Sequence, residues 1–271
     1  MQKYLIACDI DGTTLNDSGQ LTPRTMTILK KYHDLGHLVV LATGRPRGAA
    51  LPIYEQIGLK TPIVTDNGAS IDHPYDHDFA RVKTYIPKDV MDKLFTFSKP
   101  FLDSAFFSDE TTFYAYQYNA HLENYFVKVP NLAYVEGDFT DFDVEPSGMI
   151  FSIKEENQQD LESWIITHYA NIISFRLWGS GHGLSIYEIY NKHTSKSTAL
   201  SYLLSYYDIP KENLIAFGDG INDIEMIRDA AHGIAMKNGN EALKAVAKAI
   251  TFDTNDEDGL VTYLDHFFSQ K

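Results

Sequence analysis

Two carboxylates spaced two residues apart, Asp9 and Asp11, stand where the apolar run of residues 4–8 meets Gly12. An ionised carboxylate beside a buried strand is costly to desolvate unless a cation compensates it. Side chains at i and i+2 of an extended segment point the same way, so both groups are expected to reach one site. Gly12 then permits a close turn. Such a set suits Mg²⁺ and phosphate at the C-terminal edge of a strand. The plainer alternative is a strand-ending turn, for which Asp and Gly are also favoured.

Three distant segments bear on that choice. Residues 38–42 are an apolar run ending in Thr43, Gly44 and Arg45, with Pro46 where a helix is expected to begin. A hydroxyl, freed N–H groups and a helix N-terminus suit phosphate oxygens, although an ordinary strand-to-helix loop reads the same way. Lys196 follows Thr194 and Ser195, either of which is a plausible cap for a helix carrying Ala199, Leu200, Leu203 and Leu204. A lysine in a first helical turn opposes the helix dipole and calls for an anionic partner. Residues 214–217 form another apolar run, ending in Gly218, Asp219, Gly220, Asn222 and Asp223. An acidic, glycine-flexed loop after a buried strand suits a hard cation, and a helix cap at Asn222 or Asp223 is the alternative. Three strand ends and one helix start therefore carry the chemistry. In open α/β sheets ligands bind outside the carboxyl ends of the strands, so the four segments are expected to converge.

In this order the segments resemble the motifs of haloacid dehalogenase-superfamily phosphatases of the Cof type, the branch with a type IIB (C2B) cap. Asp9-Ile10-Asp11-Gly12-Thr13 resembles the nucleophile motif, Thr43-Gly44-Arg45 the hydroxyl motif, Lys196 the lysine motif, and residues 218–223 the acidic motif. Lesser likenesses are Asp66-Asn67-Gly68-Ala69, Gly233-Ile234-Ala235-Met236 and Glu257-Asp258-Gly259. The likeness spans essentially the whole chain. Two positions depart from it: Ser197 stands where glycine is frequent, and Gly239 where alanine is common after Asn238.

The resemblance implies that Asp9 attacks phosphorus and becomes an aspartyl-phosphate, with Asp11 as general acid and then general base. It implies one Mg²⁺ held by the carboxylates of Asp9 and Asp219 and the backbone carbonyl of Asp11. Thr43, Gly44, Lys196 and Asn222 are implied to clamp the phosphoryl oxygens, with Thr13 and Arg45 in support. Asp223 is implied to orient Lys196 or a metal-bound water. A phosphomutase of the same superfamily uses the same site, and a non-catalytic phosphate-binding protein would be expected to lack Asp9 or Asp11.

Alternating strand and helix over residues 3–82 and again over 191–271 predicts a parallel sheet covered by helices. Thr22-Pro23 is expected to open a helix carrying Met26, Leu29 and Leu35, and another helix is expected to lead to Gly58. From about residue 83 aromatics become dense, as in Phe113-Tyr114-Ala115-Tyr116-Gln117-Tyr118. Strands are expected at 150–154, 175–178 and 184–189, with helical stretches near 88–98, 119–127 and 156–170. The fold class is therefore α/β: a Rossmann-like parallel core with helices on both faces, from 1–83 and 190–271, and an inserted α+β cap with an antiparallel sheet over 84–189. Such an insert is expected to close over the strand ends, admitting small phosphomonoesters such as sugar phosphates, flavin mononucleotide or pyridoxal phosphate but no phosphoprotein. The tyrosine row is expected to pack as one sheet face, with substrate contact the alternative. Residues 72–78 carry metal-ligand types but read as a solvated turn around Pro74.

Composition narrows the partners. A net charge of −14 over 271 residues provides no basic stripe for nucleic acid, so the phosphate site is expected to draw on local cations: Mg²⁺, Lys196, Arg45 and helix N-termini. No run is apolar enough to span a membrane, which also sets aside cation-pumping ATPases. The single cysteine, Cys8, excludes an internal disulfide. With Met1-Gln2-Lys3 running straight into a strand, no signal peptide is expected. The expectations are a cytoplasmic monomer or weak homodimer acting on a small phosphorylated metabolite.

Overall fold

Continuous apolar runs, buried on both faces, build the central sheet. In strand β1 (Leu5–Cys8) Ile6 and Cys8 face one side, while Leu5 and Ala7 face the other, and all four are buried. Helix α1 (Pro23–Asp34) starts at Thr22, whose side chain accepts the Thr25 N–H, with Pro23 in the first turn. Strand β2 (Leu38–Leu41), helix α2 (Arg47–Ile57) and the hairpin of β3 (Ile63–Thr65) and β4 (Ser70–Asp72) follow, then the short β5 (Val82–Lys83). Pro46 caps α2 from just outside it, one position earlier than a first-turn proline. The computed structural model describes residues 2–119, 121–122 and 132–270. The chain divides into two compact units, Met1–Val82 with Ser195–Lys271, and Lys83–Thr194.

The second unit holds helix α3 (Lys88–Ser98) and strands β6 (Leu102–Ser108), β7 (Thr112–Tyr116), β8 (Ala133–Glu136) and β9 (Gly148–Lys154). Helix α4 (Gln158–Tyr169) and strands β10 (Ile173–Gly181) and β11 (Leu184–Asn191) complete it. Its sheet order is β10-β11-β9-β6-β7-β8. The pairs are antiparallel except β7 with β8, which is parallel and corrects the expectation of a wholly antiparallel sheet. One face packs on α3 and α4 through Val90, Leu94, Leu161 and Ile165. The opposite face carries a smaller cluster around Phe106, Phe113 and Ile186. The tyrosine row does not share one face. Tyr114 and Tyr116 pack with the helices, but Gln117 has φ 47° and turns Tyr118 onto Phe106 and Phe113. Most of the helical stretch expected near 119–127 lies outside the described residues.

The chain returns to the first unit with α5 (Lys196–Tyr206), β12 (Leu214–Gly218), α6 (Ile224–Asp229), β13 (His232–Ala235), α7 (Glu241–Lys244), β14 (Ala249–Ile250) and α8 (Gly259–Ser269). The sheet runs β14-β13-β12-β1-β2, parallel throughout, and an Ala42–Val64 bridge links it to β3. Helices α1, α2 and α8 bury Leu29, Tyr54 and Leu264 on one face, and α5, α6 and α7 bury Leu200, Ile227 and Leu243 on the other. β1 pairs with both β12 and β2, so its C-terminal end lies between two others. No helix among the described residues is long and apolar enough to cross a membrane.

Candidate active site

Asp9 follows β1 directly and is held there by its backbone: its N–H donates to Phe217 O at 3.0 Å, and its carbonyl accepts from Thr14 Oγ1 at 2.5 Å. The side chain is buried and accepts from Lys196 Nζ at 2.5 Å. Lys196 sits in the first turn of α5, as expected, with Ser195 as its cap: Ser195 accepts the Thr198 N–H and donates its own N–H to Thr198 Oγ1. The ammonium also donates to Asp223 Oδ1 at 2.6 Å. The anionic partner that the helix dipole called for is therefore a pair of carboxylates. Asp223 is itself fully buried, and its Oδ2 accepts the N–H groups of Asp219 at 3.1 Å and Gly220 at 3.0 Å.

Asp219 lies on the same side, with Oδ1 accepting from Thr13 Oγ1 at 3.2 Å. Gly12 is wedged against it. Its φ is 67°, and a Cβ there would come within 2.3 Å of Asp219 Oδ2. Ligand oxygens of Asp9, Asp219 and Asp223 all lie within 4.8 Å of one another, the one such acidic group among the described residues. Three carboxylates thus gather where one ammonium bonds two of them. Burial raises the Asp9 pKa well above the ordinary carboxylate value, with Asp223 and Asp219 adding to it and Lys196 opposing. Burial, then Asp223, pushes Asp219 up to about 6. Burial alone would lower Lys196, but Asp223 and Asp9 outweigh it and hold the ammonium charged. Hard oxygen donors with uncompensated negative charge are the chemistry a small divalent cation completes, so the residues fit Mg²⁺.

Asp11 takes a different place. Its carboxylate stands outside the group formed by Asp9, Asp219 and Asp223. Asp9 and Asp11 both keep extended backbone angles, and Gly12, with φ 67°, makes the turn that follows. Asp11 is instead bound at both oxygens by Arg45, Nε at 2.8 Å and Nη2 at 2.5 Å, with the Asp11 side chain 57% exposed. Arg45 is thereby committed to a carboxylate. Thr43 is buried after β2, its Oγ1 accepting the Arg45 N–H at 3.1 Å. Asn222 donates its amide to Asn67 Oδ1 at 3.0 Å. All these residues lie in the first unit, at the C-terminal ends of β1, β2, β3 and β12 and the start of α5.

Sequence reasoning left some participants without a role. Asn67 was visible only as part of a lesser likeness, yet it ties to Asn222. Asn238 donates to Gly12 O at 2.8 Å and accepts the Asn255 N–H at 3.0 Å. Ser197 donates to Asp229 Oδ2 at 2.8 Å, joining α5 to α6 where a glycine would leave no tie. At Gly239 a Cβ would approach Met236 O to 2.8 Å, so the turn here is closed around a glycine. Residues 72–78 contribute no ion cluster; Asp72 accepts from Arg47 Nε at 2.5 Å.

Residues 6–264 match the model of the haloacid dehalogenase-like hydrolase family. The chain belongs to that family, as a phosphatase of the Cof type. It is 33% identical over 275 aligned residues to the 5-amino-6-(5-phospho-D-ribitylamino)uracil phosphatase YitU of Bacillus subtilis, covering 98% of both chains. It is 25% identical to the pyridoxal phosphate phosphatase YbhA of Escherichia coli, over 97% of this chain and 98% of that one. Among solved structures it is similar to a subclass IIB sugar phosphatase, with a TM-score of 0.77, 26% identity, and coverage of 98% of this chain and 99% of the other.

Proposed function

We propose that the chain is a Mg²⁺-dependent phosphatase of small phosphomonoesters that works through an aspartyl-phosphate on Asp9. The observation that carries this reading is Asp9 itself: a buried carboxylate at a strand end, beside one ammonium and two further carboxylates. Asp9 and Asp219, with the Asp11 carbonyl, would hold Mg²⁺. The ion would supply positive charge against the phosphoryl oxygens and shield Asp9 from the dianion.

A carboxylate oxygen of Asp9 forms a bond to phosphorus while the ester P–O bond breaks. Asp11 gives its proton to the departing alkoxide, then takes a proton from the water that attacks the aspartyl-phosphate, which releases inorganic phosphate and restores Asp9. Thr43, the Gly44 N–H, Lys196 and Asn222 hold the phosphoryl oxygens. Thr13 steadies Asp219, Asp223 holds Lys196, and Arg45 holds Asp11 until substrate arrives. The inserted unit, residues 84–189 in this reading, selects the substrate. The relatives named above act on a ribitylaminouracil phosphate and on pyridoxal phosphate, which supports small, flat or polyol-bearing metabolites as substrates here.

The test is hydrolysis of a phosphomonoester panel with Mg²⁺ and with a chelator, for the natural chain and Asp9→Asn. Turnover by Asp9→Asn should fall by roughly 10³-fold or more, since the attacking charge and a metal ligand are both lost. Retention of more than about a tenth of the activity would remove Asp9 as nucleophile.

A further inference from the structure

The turn Asp66–Gly68 touches three of the four motif segments, and it adopts an uncommon backbone to do so. Asp66 and Asn67 both have φ of 52°, and Gly68 has 99°. Consecutive left-handed residues other than glycine persist only where their surroundings hold them, and such strain gathers at functional sites. Here the surroundings are specific. The Asp66 N–H donates to Arg45 O and the Asn67 N–H to Thr43 O, each at 3.0 Å, so the turn grips the backbone on both sides of Gly44. The Asn67 amide lies against Gly44, where a Cβ would come within 3.0 Å of Asn67 Oδ1. That same oxygen accepts Asn222 Nδ2 at 3.0 Å. Gly68 faces the start of α5: a Cβ there would meet Ser195 O at 2.2 Å, next to Lys196.

We propose that Asn67 is a positioning residue for the phosphoryl clamp. Its amide oxygen aims the Asn222 amide, and its backbone N–H sets the Thr43–Gly44 turn, before any phosphate arrives. An amide nitrogen carries two N–H donors, so fixing one on Asn67 fixes the direction of the other. Donors placed in advance hold an anion without reorganising at the moment of reaction. The inference rests on the roles of Asn222, Thr43 and Gly44 proposed above.

Asn67→Gly separates the two functions of this residue. Glycine keeps the left-handed backbone and the N–H to Thr43, so Tm should stay within about 3 °C of the natural chain. The tie to Asn222 is lost. Inhibition of p-nitrophenyl phosphate hydrolysis by inorganic phosphate should weaken about fivefold to tenfold, the scale of one oriented hydrogen bond. Asn222→Ala should weaken it similarly, and the double variant should show no further loss, because both changes remove one coupled unit. An unchanged inhibition constant in Asn67→Gly, beside a weakened one in Asn222→Ala, would overturn the inference and leave the clamp standing. Additive losses would overturn it as well. A Asn67→Gly chain that no longer folds would assign Asn67 to folding instead. If Asn222→Ala itself leaves phosphate inhibition unchanged, the role of Asn222 in the clamp fails, and the inference falls with it.

Discussion

Asp9 and Asp11 lie two residues apart yet meet opposite surroundings, the first buried with Lys196 and the second 57% exposed on Arg45. In the proposed mechanism the nucleophile must be fixed and shielded, whereas the acid that protonates the leaving group must reach outward to it. Asp11→Asn should therefore spare the metal ligands and cripple proton transfer, by about 10²–10⁴-fold on alkyl phosphates. The loss should be much smaller on p-nitrophenyl phosphate, whose leaving group hardly needs a proton. Equal losses on the two substrates would exclude Asp11 as the acid. Asp219 gives a second handle. Its pKa of about 6 lies above the ordinary carboxylate value, so the folded, metal-free chain binds this proton more tightly than the unfolded chain does. The stability this contributes is full below about pH 4 and is lost as pH rises through about 6. Mg²⁺ takes the place of the proton, so the rise in Tm on adding Mg²⁺ should be slight at pH 5 and large at pH 7. Melting curves across that range check it, and a rise that ignores pH would remove Asp219 from the ligand set.

Among the elements, the parallel order β12-β1-β2 brings three strand ends together, and the capped start of α5 brings the lysine to them. The turn after β1 is held from behind by the segment that follows β13. Asn238 bonds the Gly12 carbonyl, and Asn255, bonded to Asn238, donates to Leu15 O at 3.0 Å. Because Gly12 is wedged on Asp219, this strap also fixes the carboxylate proposed to hold Mg²⁺. Asn238→Ala should raise the Mg²⁺ concentration for half-maximal activity about threefold to tenfold, while lowering Tm by only about 2–4 °C. Magnesium titration beside thermal melting measures both, and an unchanged magnesium requirement would reduce the strap to a structural tie.

In the whole molecule, each unit owns its hydrophobic clusters: those of the first draw on residues up to Val82 and from Ala199 onward, those of the second on residues from Ile86 to Ile189. The candidate site residues named above all lie in the first unit. Replacing residues 84–188 by a short Gly/Ser linker should therefore leave Mg²⁺ binding measurable by its effect on Tm, while discrimination among phosphomonoesters collapses toward a flat profile. Preserved selectivity in that variant would show that the inserted unit does not select the substrate. The net charge of −14 makes long-range attraction of an anionic substrate unfavourable, so binding should depend on the local cations.

The features legible in the residues are local: apolar runs that end abruptly in carboxylates, a hydroxyl or glycine, helix starts such as Thr22-Pro23 and Ser195, and the change of texture near residue 83. These are legible because strand period, capping and turn chemistry depend on neighbours in the chain. The strands β6 and β8 were not legible, since Leu102–Ser108 mixes both faces without a clean period and Ala133–Glu136 is exposed throughout. Which charge meets which is set only by folding. Lys196 finds Asp9 across 187 positions, Arg45 finds Asp11 across 34, and Asn67 is turned left-handed toward Asn222. Such pairings follow from the order of strands in the sheet and from what the packed helices leave room for, and no local propensity encodes either.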